Sequence, residues 1–407
     1  MTSFSVGLLG HGTVGAAFEA LLAERAEAIA ATTGRRPELS GVLTRSRGDF
    51  DDILARSDLV VELMGGLEPA RDHVVRTLEA GKPVVTANKQ LLSQHGDELF
   101  GAAHTAGVDL RFEAAVGGVV PAIRVLHETL AAAEVERVHG IVNGTTNFIL
   151  TEMTRTGASY AQALADAQRL GYAEADPSDD VNGKDAAAKM TILARLAFGA
   201  AVGLDQVTYE GIEHVTSADI AYARELRLSL KLIGTAERVD GGGLSVRVHP
   251  AFLYAGHPLA SVDGSFNAVT IESPAITEIT LSGPGAGGSQ TASAVLGDVV
   301  SAMLPPPVPP APAAPVEIVS DIESAFYLHL EVADRPGVLA QIAEILGLQG
   351  VSVKSVVQEG LGADARLTIV VHPIRESKFL AAVSLIGRLD FLRVPPRWIR
   401  VIEEVFE

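Results

Sequence analysis

A glycine-rich turn near the start of the chain restricts the fold more than any other sequence feature. Residues 4–9 are apolar and predict a short strand, and the motif GHGTVG follows at 10–15. An alanine-rich stretch with helical periodicity then extends from 16 to 31. A strand, a G-x-G-x-x-G turn and a helix in this order are typical of dinucleotide-binding units. Because the glycine spacing alone also occurs in ordinary turns, the order of the three elements carries the prediction.

The residues of this turn have distinct predicted parts in cofactor binding. Gly10 allows the tight turn, Gly12 lets the backbone approach a pyrophosphate, and Gly15 lets the helix pack closely against the strand. Thr13 and Val14 stand at the helix start, where free N–H groups face the phosphates. The turn therefore predicts the phosphate end of a dinucleotide site.

Further apolar strands alternate with helical segments in the first third of the chain. They are predicted at 39–44, 58–63, 82–86 and 108–112. This alternation predicts an α/β fold with a doubly wound, Rossmann-type parallel sheet, which forms a dinucleotide-binding domain over 1–123.

Ligands of such a sheet bind at the carboxyl ends of its strands. The second strand ends in TRSR at 44–47 without an acid for the ribose hydroxyls, and Arg45 can instead neutralise a 2′-phosphate. This favours NADP as cofactor and leaves NAD open. Gly65, Thr86 and Lys89 follow the next strands and are predicted to face the cofactor. For Lys89, an ordinary solvated lysine is the alternative.

Two other glycine-rich segments are candidates for ligand binding. EAAVGGVV at 113–120 offers one carboxylate and several carbonyls on a flexible backbone. Hard mono- or divalent cations accept such oxygen ligands, whereas zinc prefers histidine or cysteine. The second loop, GPGAGG, ends at Gly288 and is predicted to contact the nicotinamide end of the cofactor.

An acidic segment between two predicted helices carries the strongest functional signal. The first helix is predicted at 161–169, with its cap at Ser159 and with Gly171 just past its end. Acids then crowd the stretch 172–183, which also contains proline and glycine and is predicted to be irregular. A second helix is predicted to follow.

Asp185 and Lys189 lie four residues apart in this second helix and share one face. An acidic pocket with one embedded ammonium suits a substrate that carries a positive amine and an oxygen that gains or loses a proton. The alternative is an exposed ion pair on the helix surface beside a solvated loop.

Composition excludes several classes of protein. The chain has 407 residues, enough for roughly two or three domains, and its net charge of −18 argues against nucleic acid or an anionic membrane as partner. It has no cysteine, which excludes disulfides, thiolate metal sites and cysteine nucleophiles. Neither a signal peptide nor a membrane-spanning stretch is recognisable, so we expect a cytoplasmic protein.

The remainder of the chain divides at a proline-rich stretch. Residues 124–288 predict an α+β substrate-binding and dimerisation domain with a mixed sheet, and a helix at 289–303 is predicted to return to the cofactor domain. The stretch 304–318, which includes PPPVPPAPAAP, predicts an extended linker. Beyond it, 319–407 has a βαββαβ pattern, and alternation at 326–332 predicts a first strand with one buried face.

These motifs together resemble those of the homoserine dehydrogenase family over essentially the whole chain. The resemblance rests on GHGTVG at 10–15, VVTANK ending at 89, EAAVGG from 113, NGTTNF from 143 and the acidic signature over 171–189. The C-terminal part resembles a small ferredoxin-like ACT domain, with DRPGVL at 334–339 as its most characteristic string.

The resemblance implies reversible NAD(P)H-dependent reduction of L-aspartate 4-semialdehyde to L-homoserine, at the branch point toward threonine, methionine and isoleucine. It implies that Lys89 and Lys189 transfer protons at the substrate oxygen, and that Glu174 and Asp185 grip the substrate. By the same resemblance, the other residues lining the pocket are Thr145, Tyr172 and Asp180.

The resemblance also implies ions and effectors. A sodium or potassium ion is expected at Glu113 and at the carbonyls of Val116, Gly118 and Val120, although Val119 stands where many members of the family have a glycine. For the ACT domain, edge-to-edge pairing in a homodimer or homotetramer and regulation by L-threonine are expected. A domain that only supports assembly is the alternative.

Two other functions stay open at this level. One is a non-catalytic sensor of nicotinamide redox state and of an amino acid. The other is a dehydrogenase that acts on a different amino-acid aldehyde or on a keto acid. The acids around Glu174 favour a substrate with a free ammonium, which narrows the second possibility.

Overall fold

The computed structural model describes residues 2–304, 314–359 and 365–402, which form two sheets flanked by helices. Most of the predicted proline-rich linker lies outside the described residues. Within the described ranges, no helix has both the length and the apolar character needed to cross a membrane.

The first sheet consists of parallel strands that alternate with helices. In chain order the elements are β1 (Thr2–Leu9), α1 (Thr13–Thr33), β2 (Arg35–Leu43), α2 (Phe50–Arg56), β3 (Leu59–Glu62), α3 (Ala70–Glu79), β4 (Val84–Thr86), α4 (Lys89–Ala106) and β5 (Leu110–Arg111). The strand order is β2-β1-β3-β4-β5 and all pairs are parallel. This confirms the predicted Rossmann-type sheet. Its ligand crevice lies between β1 and β3, on whose two sides the chain winds in opposite directions.

The second sheet is mixed, as predicted. Its elements begin with α5 (Ala122–Arg124), β6 (Arg137–Ile141), α6 (Gly144–Thr156), α7 (Tyr160–Leu170), α8 (Ser178–Val181), α9 (Lys184–Phe198), β7 (Thr208–Tyr209), α10 (Ser217–Glu225), β8 (Leu228–Arg238), β9 (Leu244–Tyr254), β10 (Phe266–Ser273) and β11 (Thr277–Pro284). Helices α6, α9 and α10 pack against one face of the sheet. Strand β8 was not predicted, although polar residues at 229, 231, 235 and 237 alternate along it with apolar ones; almost all of its side chains are nevertheless buried.

Helix α11 (Gly288–Ala302) leaves the second sheet and returns to the first, as predicted. Val295 and Val299 share a buried apolar cluster with Phe4 of β1 and Phe18 of α1. The cofactor half of the molecule is therefore completed by residues far away in sequence.

The C-terminal elements follow the predicted βαββαβ order. They are β12 (Glu323–Glu331), α12 (Val338–Leu348), β13 (Val353–Glu359), β14 (Arg366–Arg375), α13 (Glu376–Ile386) and β15 (Arg397–Ile402). Their order in the sheet is β15-β12-β14-β13, as in ferredoxin-like folds. Because β15 also pairs in parallel with β9, these strands continue the second sheet into one of ten strands.

This continuity corrects the prediction that the first C-terminal strand has only one buried face. Tyr327 and His329 belong to the face expected to be exposed, yet they are 1% and 6% exposed. The Tyr327 ring lies 5.1 Å from Phe252 of β9 and 5.4 Å from Tyr222 of α10. Alternation along one strand cannot reveal such cover, because the covering residues come from another part of the chain.

Candidate active site

The glycine-rich turn after β1 leaves an open cradle at the start of α1. Gly10 has a φ of +94°, and a Cβ there would lie 2.5 Å from the carbonyl oxygen of Leu63. A Cβ on Gly15 would lie 2.3 Å from the carbonyl oxygen of Gly10, so strand and helix are in close contact. Beside Gly12, by contrast, a Cβ would meet no atom within 4 Å. The cradle therefore fits the pyrophosphate of a dinucleotide at a helix N-terminus.

Other predicted cofactor residues surround this cradle. Thr13 and Val14 are the first residues of α1, whose N-cap provides no side-chain hydrogen bond. A Cβ on Gly288 would lie 3.0 Å from Thr13 Cγ2, so this end of the second glycine-rich loop lies beside the turn. Arg45 follows β2, is exposed, and has no ion-pair partner among residues 2–304, 314–359 and 365–402. Its guanidinium is thus available to a ligand.

Glu62, which the sequence analysis missed, ties two cofactor-facing loops together. It lies fully buried at the end of β3, and burial raises the pKa of its carboxyl. One carboxylate oxygen accepts the N–H of Gly65 at 3.2 Å, and the other accepts the hydroxyl of Thr86 at 2.6 Å. Asn88 donates to the carbonyl of Gly66 at 2.7 Å. Glu62 therefore holds the loop after β3 and the loop after β4 together. The buried Thr86 side chain takes part through its hydrogen bond to this carboxylate. An acid that ends an apolar strand was the available sequence signal.

The predicted cation loop is built around a buried pair of acids. The two carboxylate oxygens of Glu113 accept the N–H groups of Ile123 and Arg124, both at 2.9 Å. The N–H of Glu113 donates to Asp298 Oδ2 at 2.8 Å. Burial and the charge of Asp298 raise the pKa of Glu113 to about 7, and burial raises the pKa of Asp298 to about 6. The Glu113 side chain thus caps α5, and the sequence analysis did not identify Asp298.

The carbonyls of the same loop differ in their availability to a cation. The carbonyl of Val120 accepts the N–H of Ala122 at 2.8 Å, whereas those of Val116 and Gly118 accept no hydrogen bond from the described residues. Gly118 has a φ of +66° and packs tightly against Gly285. Among the described residues, no cluster of three histidine, aspartate or glutamate side chains could hold a metal. A cation here would therefore depend on backbone oxygens.

The acidic segment folds as predicted at both ends. Helix α7 begins with a capping box at Ser159 and ends at Gly171, which has a φ of 80°. Helix α9 begins directly after Gly183, which has a φ of 88°. The stretch predicted to be irregular contains the single turn of α8, which carries Asp180. The acids Asp180 and Asp185 therefore lie on two helices, α8 and α9, which are joined by the turn at Gly183.

Asp185 joins two lysines from different parts of the chain. Its side chain is 3% exposed, and Oδ2 accepts from Lys189 Nζ at 2.7 Å while Oδ1 accepts from Lys89 Nζ. Lys89 is the first residue of α4, and Lys189 lies one turn beyond Asp185 in α9. Lys189 Nζ also donates to the carbonyl of Val142 at 2.7 Å. The alternative of an exposed helix-surface pair is therefore wrong for Asp185 and Lys189, whose side chains are 3% and 12% exposed, whereas the Lys89 side chain is 38% exposed and lines the cleft.

These charges shift one another's pKa values in different directions. Burial raises the pKa of Asp185, but the two lysines outweigh burial and hold that pKa well below its ordinary value. Burial lowers the pKa of Lys189, and the attraction of Asp185 only partly offsets this, so the pKa is lowered overall. Burial also lowers the pKa of Lys89, but here Asp185 and neighbouring acids outweigh it and the pKa is raised. Lys189 is thus the lysine that loses its proton more readily.

Asn143, a second residue missed by the sequence analysis, bridges two acids of the site. Its Nδ2 donates to Asp180 Oδ1 at 2.7 Å and to Asp185 Oδ2 at 2.8 Å. Its Oδ1 accepts the N–H of Thr146 at 2.8 Å and thereby caps α6. The hydroxyl of Thr145 lies 3.3 Å from Asp180 Oδ2, and burial raises the pKa of Asp180. An asparagine, a favoured N-cap residue, at the start of the NGTTNF motif was the signal that could have identified it.

Tyr172 and Glu174 lie at the rim of the same site. The Tyr172 side chain is 45% exposed, and its ring lies 4.6 Å from that of Phe148. Glu174 is exposed and lines a cleft together with Lys89 and Asp185. Of the predicted substrate residues, Glu174, Asp180 and Asp185 line one acidic cleft between α4, α8 and α9. The Thr145 hydroxyl lies beside Asp180 and donates to the Tyr172 carbonyl at 2.7 Å.

Comparison with known proteins identifies one family for both halves of the molecule. The profile "Homoserine dehydrogenase, NAD binding domain" matches residues 10–113, and "Homoserine dehydrogenase" matches 121–300. The chain is 41% identical to homoserine dehydrogenase of Corynebacterium glutamicum over 95% of this chain and 92% of that one. It is 43% identical to homoserine dehydrogenase of Mycobacterium tuberculosis over 95% of each chain.

Solved structures agree with this. The homoserine dehydrogenase of Thiobacillus denitrificans superposes with a TM-score of 0.94 at 38% identity and 99% coverage of both chains. A hyperthermophilic archaeal homoserine dehydrogenase in complex with NADPH superposes with a TM-score of 0.64 at 28% identity, over 76% of this chain and 100% of that one. This chain belongs to the homoserine dehydrogenase family of NAD(P)-dependent oxidoreductases.

Proposed function

We propose that this chain reduces L-aspartate 4-semialdehyde reversibly to L-homoserine with NAD(P)H, for the synthesis of threonine, methionine and isoleucine. The observation that carries the proposal is the buried Asp185 with Lys89 and Lys189 on its two oxygens. A non-catalytic sensor does not require this arrangement, because a buried carboxylate between two lysines contributes little net stability and perturbed charges of this kind are typical of functional sites.

In this proposal the cofactor, when bound at the Gly10–Gly15 turn, supplies the hydride. The chain's own residues bind the substrate and handle charge. Lys89, whose ammonium reaches the cleft, stabilises the negative charge that develops on the aldehyde oxygen. Lys189, with its lowered pKa, supplies and takes back the proton, and Asp185 holds the two lysines together.

The acids around the cleft give the proposed selectivity for an amino acid. Glu174 and Asp180 attract the substrate ammonium, since both line the acidic cleft and neither has an ion-pair partner among residues 2–304, 314–359 and 365–402. Thr145 and Tyr172 complete the pocket, with the Thr145 hydroxyl donating to the Tyr172 carbonyl at 2.7 Å. A substrate without an ammonium would leave these acids unpaired, and it is therefore bound poorly.

NADP is the proposed cofactor, because Arg45 is unpaired in the described chain and the four residues directly after β2, TRSR at 44–47, contain no acid. The archaeal relative in complex with NADPH shows that a member of this family binds this cofactor, which supports NADP for this chain. We also propose a sodium or potassium ion at the loop of Glu113, Val116, Gly118 and Val120. The free carbonyls of Val116 and Gly118 favour such an ion, which would hold the loop in place.

We further propose that the C-terminal βαββαβ unit is an ACT domain through which copies of the chain pair edge to edge, as a homodimer or homotetramer, with L-threonine as effector. Its strand order supports this, and so does the exposure of apolar residues near its edge strand β13. Val356 of that strand is 40% exposed, and Leu348 at the end of α12 is 77% exposed. A cytoplasmic location is part of the same proposal, since the nicotinamide pool of a biosynthetic reaction is there.

One assay tests the proposed function. Homoserine-dependent reduction of NADP and of NAD is measured side by side, with L-threonine titrated into the same reaction. We expect turnover with homoserine, a higher kcat/KM with NADP, and inhibition by threonine at millimolar concentration. Absence of homoserine-dependent reduction with either cofactor contradicts the function. Unchanged kinetics with threonine contradict only its role as effector.

A further inference from the structure

A buried arginine connects the C-terminal unit to the half of the molecule that carries the cleft. Arg400 lies on β15 and is 7% exposed. Its Nε and Nη2 donate to the carboxylate of Glu376, the first residue of α13, at 3.1 and 2.5 Å. Its Nη1 donates to Glu210 Oε2 at 3.1 Å. Glu210 follows β7 and also accepts from His214 at 3.1 Å. Arg400 thus holds two carboxylates from different parts of the fold in fixed positions.

Residues 210–212 pack in direct backbone contact with residues 181–183, which belong to the acidic segment of the cleft. The N–H of Ile212 donates to the carbonyl of Val181 at 2.9 Å. A Cβ on Gly211 would lie 2.0 Å from the same carbonyl oxygen, and a Cβ on Gly183 would lie 3.0 Å from the carbonyl oxygen of Glu210. Because backbone touches backbone at both glycines, a movement of Glu210 must move residues 181–183 as well.

Residues 181–183 connect the two elements that carry the acids of the cleft. Asp180 lies in α8 directly before them, and Asp185 lies at the start of α9 directly after them. Asn143 bridges the two carboxylates, so the site depends on their spacing. The contact at Gly183 therefore lies between the residues whose separation determines how the substrate ammonium and oxygen are held.

We propose that Arg400 and Glu210 are positioning residues, which fix residues 181–183 and thereby couple the C-terminal unit to the spacing of Asp180 and Asp185. This inference rests on the proposed function, because it takes the acidic cleft as the homoserine site. Two arrangements of α13 relative to Glu210 would then correspond to two affinities for homoserine.

The inference is tested with Arg400→Gln, Glu210→Gln and the double variant. KM for homoserine, KM for NADP and kcat are measured for each. We expect each single variant to raise KM for homoserine by about 2- to 30-fold, the usual range for residues that couple two sites. KM for NADP should stay within about twofold of the wild-type value. The double variant should be no worse than the worse single variant, because both changes break one connection.

Arg397 provides a matched control. It lies on the same strand and also joins it to the earlier half, with Nη1 donating to Thr216 at 3.0 Å and lying 3.6 Å from Asp219. These partners belong to the start of α10 and not to the segment beside 181–183. Arg397→Gln should therefore lower the Tm, by less than Arg400→Gln because the Arg397 side chain is 31% exposed and that of Arg400 is 8%, and it should leave KM for homoserine unchanged.

The outcomes separate the inference from the proposed function. If both single variants keep the wild-type KM for homoserine, or if Arg397→Gln raises it equally, the inference is wrong while the function stands. If the wild-type chain does not oxidise homoserine, the function itself is wrong. The Glu210 side chain is 37% exposed, so we expect Glu210→Gln to fold. If Arg400→Gln does not fold, KM for homoserine of Glu210→Gln alone decides whether the inference holds.

Discussion

The glycine-rich turn and the acidic cleft prepare the molecule for two ligands in different physical ways. At the turn, selection works through space: Gly10 and Gly15 permit close backbone contacts, and Gly12 leaves room beside the helix N-terminus. At the cleft, selection works through charge, because the buried Asp185 carboxylate is hydrogen-bonded to the buried Lys189 and to the partly exposed Lys89. Changes of size should therefore affect the first region most, and changes of charge should affect the second.

Of the two arrangements, the cleft costs more free energy of folding. Buried ion pairs contribute little net stability, but removal of one partner leaves a buried charge without compensation. The turn needs no such compensation, since its hydrogen-bonding groups are backbone N–H groups at a helix end. Charge substitutions in the cleft should therefore disturb activity and stability together, whereas substitutions at the turn can change one of these properties without the other.

The largest effect is expected from removal of either lysine. Lys89→Ala and Lys189→Ala should each lower kcat by at least about a hundredfold, the usual scale for positioned acid–base groups. Steady-state kinetics with homoserine and NADP measure this, with Lys378→Ala on α13 as control for loss of an exposed lysine. Near-normal turnover of either active-site variant would remove that lysine from the mechanism.

A change of charge at Asp185 should move the pH dependence of the reaction. Homoserine oxidation needs a neutral lysine to accept the hydroxyl proton, so its rate rises as pH rises through the lysine pKa. Asp185 favours the protonated lysines, and Asp185→Asn should therefore lower their pKa and move the rising limb to lower pH by about 1–3 units. Profiles of kcat/KM against pH measure it, and a limb that stays in place or moves to higher pH contradicts this electrostatic account.

Two alanine substitutions at the turn should separate folding from cofactor binding. Gly15→Ala places a Cβ 2.3 Å from the carbonyl oxygen of Gly10 and should destabilise the fold by about 1–3 kcal/mol. Gly12→Ala meets no protein atom within 4 Å, so the free energy of unfolding should change by less than about 0.5 kcal/mol while KM for NADP rises. Urea unfolding and cofactor titration measure both, and equal loss of stability in the two variants would disprove the difference.

The smallest effect is expected at Arg45. Arg45→Gln should raise KM for NADP by about fivefold, the upper range for one solvent-exposed ion pair, and leave KM for NAD unchanged. The same substitution at Arg47, which is also exposed after β2, is the control for a general loss of positive charge. An equal rise for both cofactors would show that Arg45 does not distinguish them.

Elements with a strong local signal were predicted well. The caps at Ser159 and Gly171 fix the ends of α7, and the order of strand, turn and helix fixes the Rossmann-type sheet, because both depend on neighbouring residues. The second face of β12 was mispredicted, because its cover comes from residues distant in sequence, whereas β8 was missed although its polar and apolar residues alternate. In the site, Lys89 and Asp185 were predicted as members of one pocket, whereas Glu62 and Asn143 were not identified.

The amino-acid sequence by itself determined the periodicity of the helices and strands, the glycine turn and the family to which the chain belongs. These features depend on short motifs whose residues are close together in the chain. Only the tertiary structure decided which side chains meet. It placed Lys89 on the carboxylate of Asp185, joined β15 to β9, and connected Arg400 with Glu210. The physical reason is that charge contacts and burial depend on distances in space, which the packing of the two sheets sets and which spacing along the chain does not contain.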